Sequence, residues 1–256
     1  MLFRSEARTL EWLGAHGGPA PRLRATGRVT SGDDPGATCI VCDRAAGELP
    51  TTLPAWNRLG RALARLERVP WQGSGLSVRD HRSFLAAHEA RLDDLGVALR
   101  PDLRGQLPAV PTSYPQAPLV LTHGDPGPGN YLDDGVAGTL IDWEDAQVSP
   151  RGLDLGRAAF IALIGSGPEG YKGEDHVARA RSVVTGLLAE TDDWSPRADE
   201  LAWWLGVAGV QFAHRRLERA GEPGVLPWRD AVEVLDGALA EGLVEDWLRT
   251  AADPTT

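Results

Sequence analysis

Between Leu121 and Glu144 the chain concentrates the residue types that can do chemistry. Leu121-Thr-His-Gly-Asp-Pro-Gly-Pro-Gly-Asn-Tyr131 is followed at short range by Leu140-Ile-Asp-Trp-Glu144. Asp125, Asn130 and Asp142 are candidate polar groups for one site. A carboxylate beside a substrate hydroxyl can accept or orient its proton. A carboxamide oxygen with a second carboxylate suits Mg²⁺, a hard cation that keeps waters and substrate phosphates in its shell. Together these are the needs of phosphoryl transfer, in which the protein mainly positions groups and neutralises charge.

Other readings of the same residues stand beside this one. An Asp in a Pro/Gly loop is often a turn former or cap. His123 reads as a residue that braces the loop. Glu144 and Asp145 are either solvated turn carboxylates or groups that attract a cationic substrate. Asp154, in Pro150-Arg-Gly-Leu-Asp154, reads most simply as a cap on the first turn of a helix. The three-residue pattern as a whole favours a functional site.

The elements that must position these groups follow from pattern. Leu119-Val-Leu121 is a short apolar run suited to a buried strand, and Gly124 permits a sharp turn after it. Asn130-Tyr-Leu132 and Gly138 to Asp142 read as two further strands joined by the Asp133-Asp-Gly135 turn. A hairpin of that kind brings Asn130 and Asp142 to the same end. Ser5 to Ala15 has helical character and is ended by Gly17-Gly-Pro-Ala-Pro21. Arg22–Val29 and Thr38–Cys42 form a candidate hairpin about the turn Ser31-Gly-Asp-Asp-Pro-Gly36. Helices are expected at Ala55–Glu67, Val78–Leu95, Leu155–Ile164, Asp175–Glu190, Pro196–Ala220 and Trp228–Thr250. His88 lies on the apolar face of the second of these and reads as a core or boundary histidine. Trp203, Trp204, Phe212, Trp228 and Trp247 are expected to fill the helical core. Strands and helices are segregated along the chain, which argues for an α+β fold over a doubly wound parallel sheet.

Composition bounds the function. The 256 residues are 42% hydrophobic, enough for a sizeable core in one large domain or two small lobes. Charged residues make up 24%, and the formal net charge is −10. An acidic balance argues against a nucleic-acid binder. It suits solubility, and it is compatible with a cationic small-molecule substrate. Cys39 and Cys42 have C-x-x-C spacing, but no second pair or nearby His supports zinc. They read as small apolar residues on a buried strand, in keeping with a reducing compartment. The amino terminus lacks the apolar run of a signal peptide, and the apolar stretch from Ala158 to Ile164 is too short to span a bilayer. A cytoplasmic protein with no membrane partner is the expectation. Of the 26 Lys and Arg residues, only Lys172 is a lysine.

These motifs resemble the signature of the aminoglycoside phosphotransferase family, also called the phosphotransferase enzyme family. Its pattern runs H-G-D-x-x-x-x-N, then a strand ending in I-D-W/F/P, then an Asp followed by Leu and Ala or Gly. This chain has His123-Gly-Asp125, Asn130, Ile141-Asp-Trp143 and Asp154-Leu-Gly156 in that order. Protein kinases use the same logic of a loop Asp, a loop Asn and a metal-binding Asp. More weakly, Glu6-Ala-Arg-Thr-Leu-Glu-Trp-Leu13 resembles the family's helix C, and Cys39 to Gly47 resembles its last small-lobe strand and hinge.

The resemblance implies a protein-kinase-like two-lobe fold, with a truncated small lobe and a mainly helical large lobe. Residues 1–48 would form a partial nucleotide-binding lobe. Residues 49–256 would form the catalytic and substrate-binding lobe. Asp125 would be the base, Asn130 and Asp142 would bind Mg²⁺, and His123 and Asp154 would support the loop. The backbone around Asp43 and Ala45 would meet the base of ATP or GTP, and Glu6 would be the helix-C carboxylate. The implied activity is transfer of a γ-phosphoryl group to a hydroxyl of a small, aminoglycoside-like or other cationic acceptor.

The pattern departs at one point. The family's glycine-rich loop and phosphate-binding lysine precede helix C, whereas this chain begins almost at helix C and Lys172 is far away. Weak ATP turnover is therefore expected, and tight Mg-ATP binding by titration calorimetry would refute that. The alternative is a non-catalytic ligand-binding or regulatory protein on a degraded kinase scaffold. A metal-dependent hydrolase fits less well, since it needs more ligands than this block offers.

Overall fold

In a computed structural model, residues 2–30, 38–98, 105, 107–164, 175–219 and 243–252 are described. The expected turn at 31–36, Lys172 and Trp228 lie outside these residues.

The first helix, α1 (Leu2–His16), buries Leu10 and Leu13. It stops at Gly17, whose φ of +69° is left-handed, and the Gly18 amide donates back to the Leu13 carbonyl at 2.9 Å. The Trp12 indole donates to the Pro70 carbonyl at 2.6 Å, which ties α1 to the following helical region. Strands β1 (Leu23–Arg28) and β2 (Thr38–Cys42) pair antiparallel, from Arg28 opposite Thr38 to Leu23 opposite Cys42. Nearly all of β1 is exposed, and Val41 of β2 is 51% exposed. The expectation of a buried strand at the two cysteines is thus corrected: Cys39 and Cys42 are free and half-buried. Their odd spacing in a strand also aims them at opposite faces, so they are poorly placed to act as a pair.

Helix α2 (Leu53–Glu67) starts where the Thr52 hydroxyl accepts the Ala55 amide, and a proline occupies its first turn. Its Trp56, Leu59, Leu63 and Leu66 form one buried stripe. Helix α3 (His81–Ala98) begins three residues later than the pattern suggested. Val78 is taken by a bridge to Val148, and Asp80 caps the helix by accepting the Ser83 amide at 2.8 Å. His88 is buried at 5% exposure, edge-on to Trp203.

The segment that carries the His123–Trp143 motifs folds as short pieces. Strand β3 (Leu119–Thr122) pairs antiparallel with β6 (Gln147–Pro150), and β4 (Tyr131–Leu132) pairs with β5 (Thr139–Leu140). Two expectations change here. Asn130 belongs to a 3₁₀ turn, Pro128–Asn130, rather than to a strand. The strand expected over 138–142 ends at Leu140, leaving Asp142 in a loop. Prolines at 126 and 128 remove amide donors from any ladder, which favours the turn.

The helical body comprises α4 (Leu153–Ile164), α5 (His176–Leu188), α6 (Ala198–Glu218) and α7 (Leu243–Ala252). Trp203, Trp204 and Trp247 are buried in it, and Phe212 is half-buried. The main core gathers α2, α4, α5 and α6 together with Tyr131, Leu140 and Trp143 beneath the motif loops. Helices α2 and α5 approach with their backbones nearly touching. A Cβ on Gly60 would strike the Val183 carbonyl, and one on Gly186 would strike the Asn57 carbonyl. Gly186→Ala is expected to cost about 1–3 kcal/mol by overpacking. A fall in the urea midpoint at unchanged slope would show it; an unchanged midpoint would refute so tight an approach.

Candidate active site

Strand β3 delivers His123, Gly124 and Asp125 to the end of the β3–β6 pair. Gly124 has φ +86°, and a Cβ there would collide with the Asp145 carbonyl. Only glycine fits this bend.

The bend is held from below by Asp154 in the first turn of α4. Its carboxylate accepts the His123 amide at 2.6 Å and the Gly124 amide at 3.1 Å. Asp154 is 3% exposed, and burial pushes its carboxyl up to about 6, with the two amide donors pulling the other way. The carboxylate therefore caps a distant loop instead of its own helix.

His123 is fully buried and joins the loop to the next segment. Its Nδ1 accepts the Asp125 amide at 3.3 Å, so Nε2 carries the hydrogen and donates to the Ile141 carbonyl at 2.9 Å. Burial lowers its pKa to about 4, and the ring is neutral at pH 7. The Trp143 ring packs against it with centroids 4.5 Å apart.

Asn130 closes the circuit. Its Nδ2 donates to the Asp125 carbonyl at 3.0 Å, and its backbone carbonyl accepts the Ile141 amide at 2.9 Å. The amide nitrogen is thereby committed, and Oδ1 is left as the group that can meet a cation. Ile141 is pinned through both its N–H and its C=O. The next residue, Asp142, has φ +64°, the one non-glycine residue with positive φ among those described. That conformation is strained for a side chain other than Asn or Asp. Asp125, Asn130 and Asp142 thus sit on three segments stitched by the His123 ring and by Asn130.

The remaining sequence candidates divide. Glu6 on α1 reaches the same loop: the Trp143 backbone hydrogen-bonds to it, while burial first, and then the charges of Asp142 and Glu144, raise its pKa. Asp43 turns toward its own hairpin. Its carboxylate is bound by the Arg24 guanidinium through two contacts, the longer 2.8 Å, and its amide donates to the Arg22 carbonyl at 2.9 Å. It does not join the network around Asp125. Ala45 lies just beyond it in irregular chain.

Sequence reasoning missed a group of arginines. Arg215 of α6 bonds Asp145 at 2.7 Å and lies 3.5 Å from the Asp125 carboxylate. Arg157 of α4 donates through Nε to Gln211 at 2.8 Å, and burial lowers its pKa to about 10. With Arg79 and Arg91 they line a recess of about 230 Å³ reaching Gly124. A second hollow of about 30 Å³ shares Arg157, Gln211 and Arg215 and touches Asp125. Three helices and the segment before α3 supply these residues, so no local spacing marks them. A larger cleft, about 890 Å³, lies between α1 and β1, away from this loop.

The sequence model of the phosphotransferase enzyme family matches residues 2–180. The chain belongs to the phosphotransferase enzyme family. Solved structures agree in fold, which is protein-kinase-like. An aminoglycoside 2′-phosphotransferase-IIIa, solved with GDP, is 17% identical over 94% of this chain and 82% of its own, with a TM-score of 0.62. A choline/ethanolamine kinase family protein from Mesorhizobium loti is 18% identical over 97% and 81%, with a TM-score of 0.58. An amicoumacin kinase solved with AMP-PNP and Ca²⁺ is 12% identical over 99% and 78%, also with a TM-score of 0.58. No curated protein matches the sequence. Among the described residues, no helix is long and apolar enough to cross a membrane.

The two buried titrating groups of the motif oppose one another in acid. His123 takes its proton near 4 instead of 6.5, so the folded state binds fewer protons than the unfolded chain in that window, and stability falls as pH drops. Asp154 takes its proton near 6 instead of 3.8, so the folded state binds more, and stability rises as pH drops from 6 to 4. Asp154→Asn removes only the second effect. Relative to wild type, the variant should lose stability between pH 6 and pH 4 by up to about 1.4 kcal/mol per unit. Urea midpoints at several pH values read this out, and a pH-independent difference would refute it.

The left-handed backbone at Asp142 has its own test. Asp142→Gly should hold or raise the melting temperature, whereas Asp142→Val should lower stability by about 1–3 kcal/mol. Equal stability of the two variants would show that the backbone there is unstrained.

Proposed function

We propose that this protein transfers the γ-phosphoryl group of ATP or GTP to a hydroxyl of a small molecule. The observation that carries this reading is the His123–Ile141–Asn130 stitching, which gathers the Asp125, Asn130 and Asp142 segments at one loop end. Residues 1–48 would serve as the nucleotide-side lobe and residues 49–256 as the catalytic and acceptor-binding lobe.

The donor set fits a magnesium ion. Among the described residues, no group of three or more His, Cys, Asp or Glu is gathered for a metal. A divalent ion here would take Asn130 Oδ1 and the Asp142 carboxylate, and fill its shell with water and nucleotide phosphate. When bound, it would neutralise the charge of the transferring group. This chain's own residues do the rest. Asp125 accepts the proton as the acceptor oxygen bonds to the γ-phosphorus and the nucleoside diphosphate leaves. His123 and Asp154 hold the loop so that Asp125 need not reorganise. Arg215, at 3.5 Å, orients the Asp125 carboxylate. The irregular chain at Asp43 and Ala45 would meet the nucleobase, and Glu6 would be the helix-C carboxylate.

One feature favours a second reading, a non-catalytic ligand-binding scaffold. Among the described residues, the charges that act on Glu6 are those of two carboxylates, Asp142 and Glu144. The two readings separate on a single measurement. Phosphorus NMR with Mg²⁺, ATP or GTP and a panel of small hydroxy compounds should detect a phosphorylated product. Asp125→Asn should slow its formation about 10²–10⁴-fold at unchanged circular dichroism. Undiminished transfer by that variant would remove Asp125 from the reaction, and nucleotide binding without transfer to any acceptor would favour the scaffold.

A further inference from the structure

We infer that the acceptor carries an anionic group, a carboxylate or a phosphate, seated among Arg79, Arg91, Arg157 and Arg215 beside the Asp125 loop. The inference rests on the phosphotransferase reading and narrows its substrate class.

The recess takes one wall from each of four places: Arg79 before α3, Arg91 on α3, Arg157 on α4 and Arg215 on α6. Two carboxylates also line it, Asp145 and Glu218, and Glu218 attracts Arg91. Asp145 binds Arg215 at 2.7 Å. Glu218 lies 3.6 Å from the ring of His214, whose other nitrogen meets Asp94 at 3.0 Å. Arg79, Arg91 and Arg157 have no carboxylate within ion-pair distance among the described residues. Arg157 is attracted by Asp125, Asp145 and Asp154 without bonding any of them, and its Nε is spent on Gln211. Arg91 makes one contact, 3.3 Å to the carbonyl of Ala87 in its own helix. Burial, and after it the charges of Arg79 and Arg215, disfavour its protonated form.

Like charges crowded into a half-buried recess are costly unless something of opposite sign joins them. A guanidinium fork matches carboxylate and phosphate oxygens in two-point geometry. At about 230 Å³ the recess is smaller than ordinary drug-sized pockets. A multi-ring polyamine would overfill it and meet four cations. A small hydroxy acid or sugar phosphate would place its anion on the arginines and its hydroxyl toward Asp125, which borders the adjoining hollow.

The test is calorimetric binding of inorganic phosphate, glycerol 3-phosphate and glycerate, with glycerol and kanamycin as neutral and cationic comparisons. At least one anion should bind, at least tenfold more weakly to the doubly substituted Arg79→Gln, Arg91→Gln protein. Arg91→Lys should retain part of the affinity. Binding should persist with Mg-AMP-PNP present, which separates this recess from a site for nucleotide phosphates. Asp125→Asn, which removes a carboxylate 3.5 Å from Arg215, should bind the anion at least as tightly as wild type. Anion binding unchanged in the double variant, abolished by Mg-AMP-PNP, or weaker than that of kanamycin overturns the inference. Arginine-dependent binding with no transfer to any hydroxy anion upholds the anion site and counts against the phosphotransferase reading alone.

Discussion

The arrangement of the site depends on one buried carboxylate. Asp154 accepts two consecutive amides, those of His123 and Gly124, from a loop thirty residues upstream. An ionised carboxylate at 3% exposure is tolerable only because those donors and the first turn of α4 meet it. In return it holds the bend from below, together with the Asp125 amide bond to the His123 ring across Gly124. From there the constraint passes outward. His123 holds Ile141, Ile141 sets Asp142, and Asn130 ties back to Asp125.

Asp154 in turn has to be held, and the chain just before it shows how. Arg151, at the exit of β6, bonds Glu67 of α2 at 2.8 Å and grips Asp193 with two contacts of 3.0 Å, its guanidinium lying over the Trp194 ring. Burial pushes the Glu67 carboxyl up to about 7 despite the arginine beside it. Such a buried pair adds little net stability once desolvation is counted. Its use here is positional: it anchors the start of α4 to α2 and to the segment before α6. The packing of α2 on α5 through Gly60 and Gly186 then makes that anchor part of the main core.

The parts of this hierarchy differ in how far the sequence reveals them. Asp125, Asn130 and Asp142 stand out because their residue types and spacing match the chemistry proposed for them. Apolar periodicity marks α2 through Leu59, Leu63 and Leu66. Strand β6 escaped notice, because Gln147-Val-Ser-Pro150 is short, lacks a clear alternation and ends in proline. The capping reading of Asp154 failed for a related reason: a side chain near a helix start usually serves its own amides, and nothing local shows that a distant bend competes for it. The expected buried strand at Cys39 and Cys42 failed because a two-stranded sheet has too little to pack against, so its residues stay half-exposed.

The net charge of −10 says little about one recess, for a more general reason. Charge is counted over the whole chain, but a ligand in a recess responds to groups within about one screening length, roughly 8 Å at physiological salt. Around Gly124 four guanidiniums gather, with Asp145 paired to Arg215 and with Asp125 and Asp154 beside the same glycine. The cluster is assembled from residues dozens of positions apart, so no window of sequence contains it. Overall charge thus bears on solubility and long-range steering. On the proposed reading, selection of the acceptor would fall to the few side chains that α3, α4 and α6 bring to the rim of the Asp125 loop, where an anion would meet arginines before it meets the acidic surface.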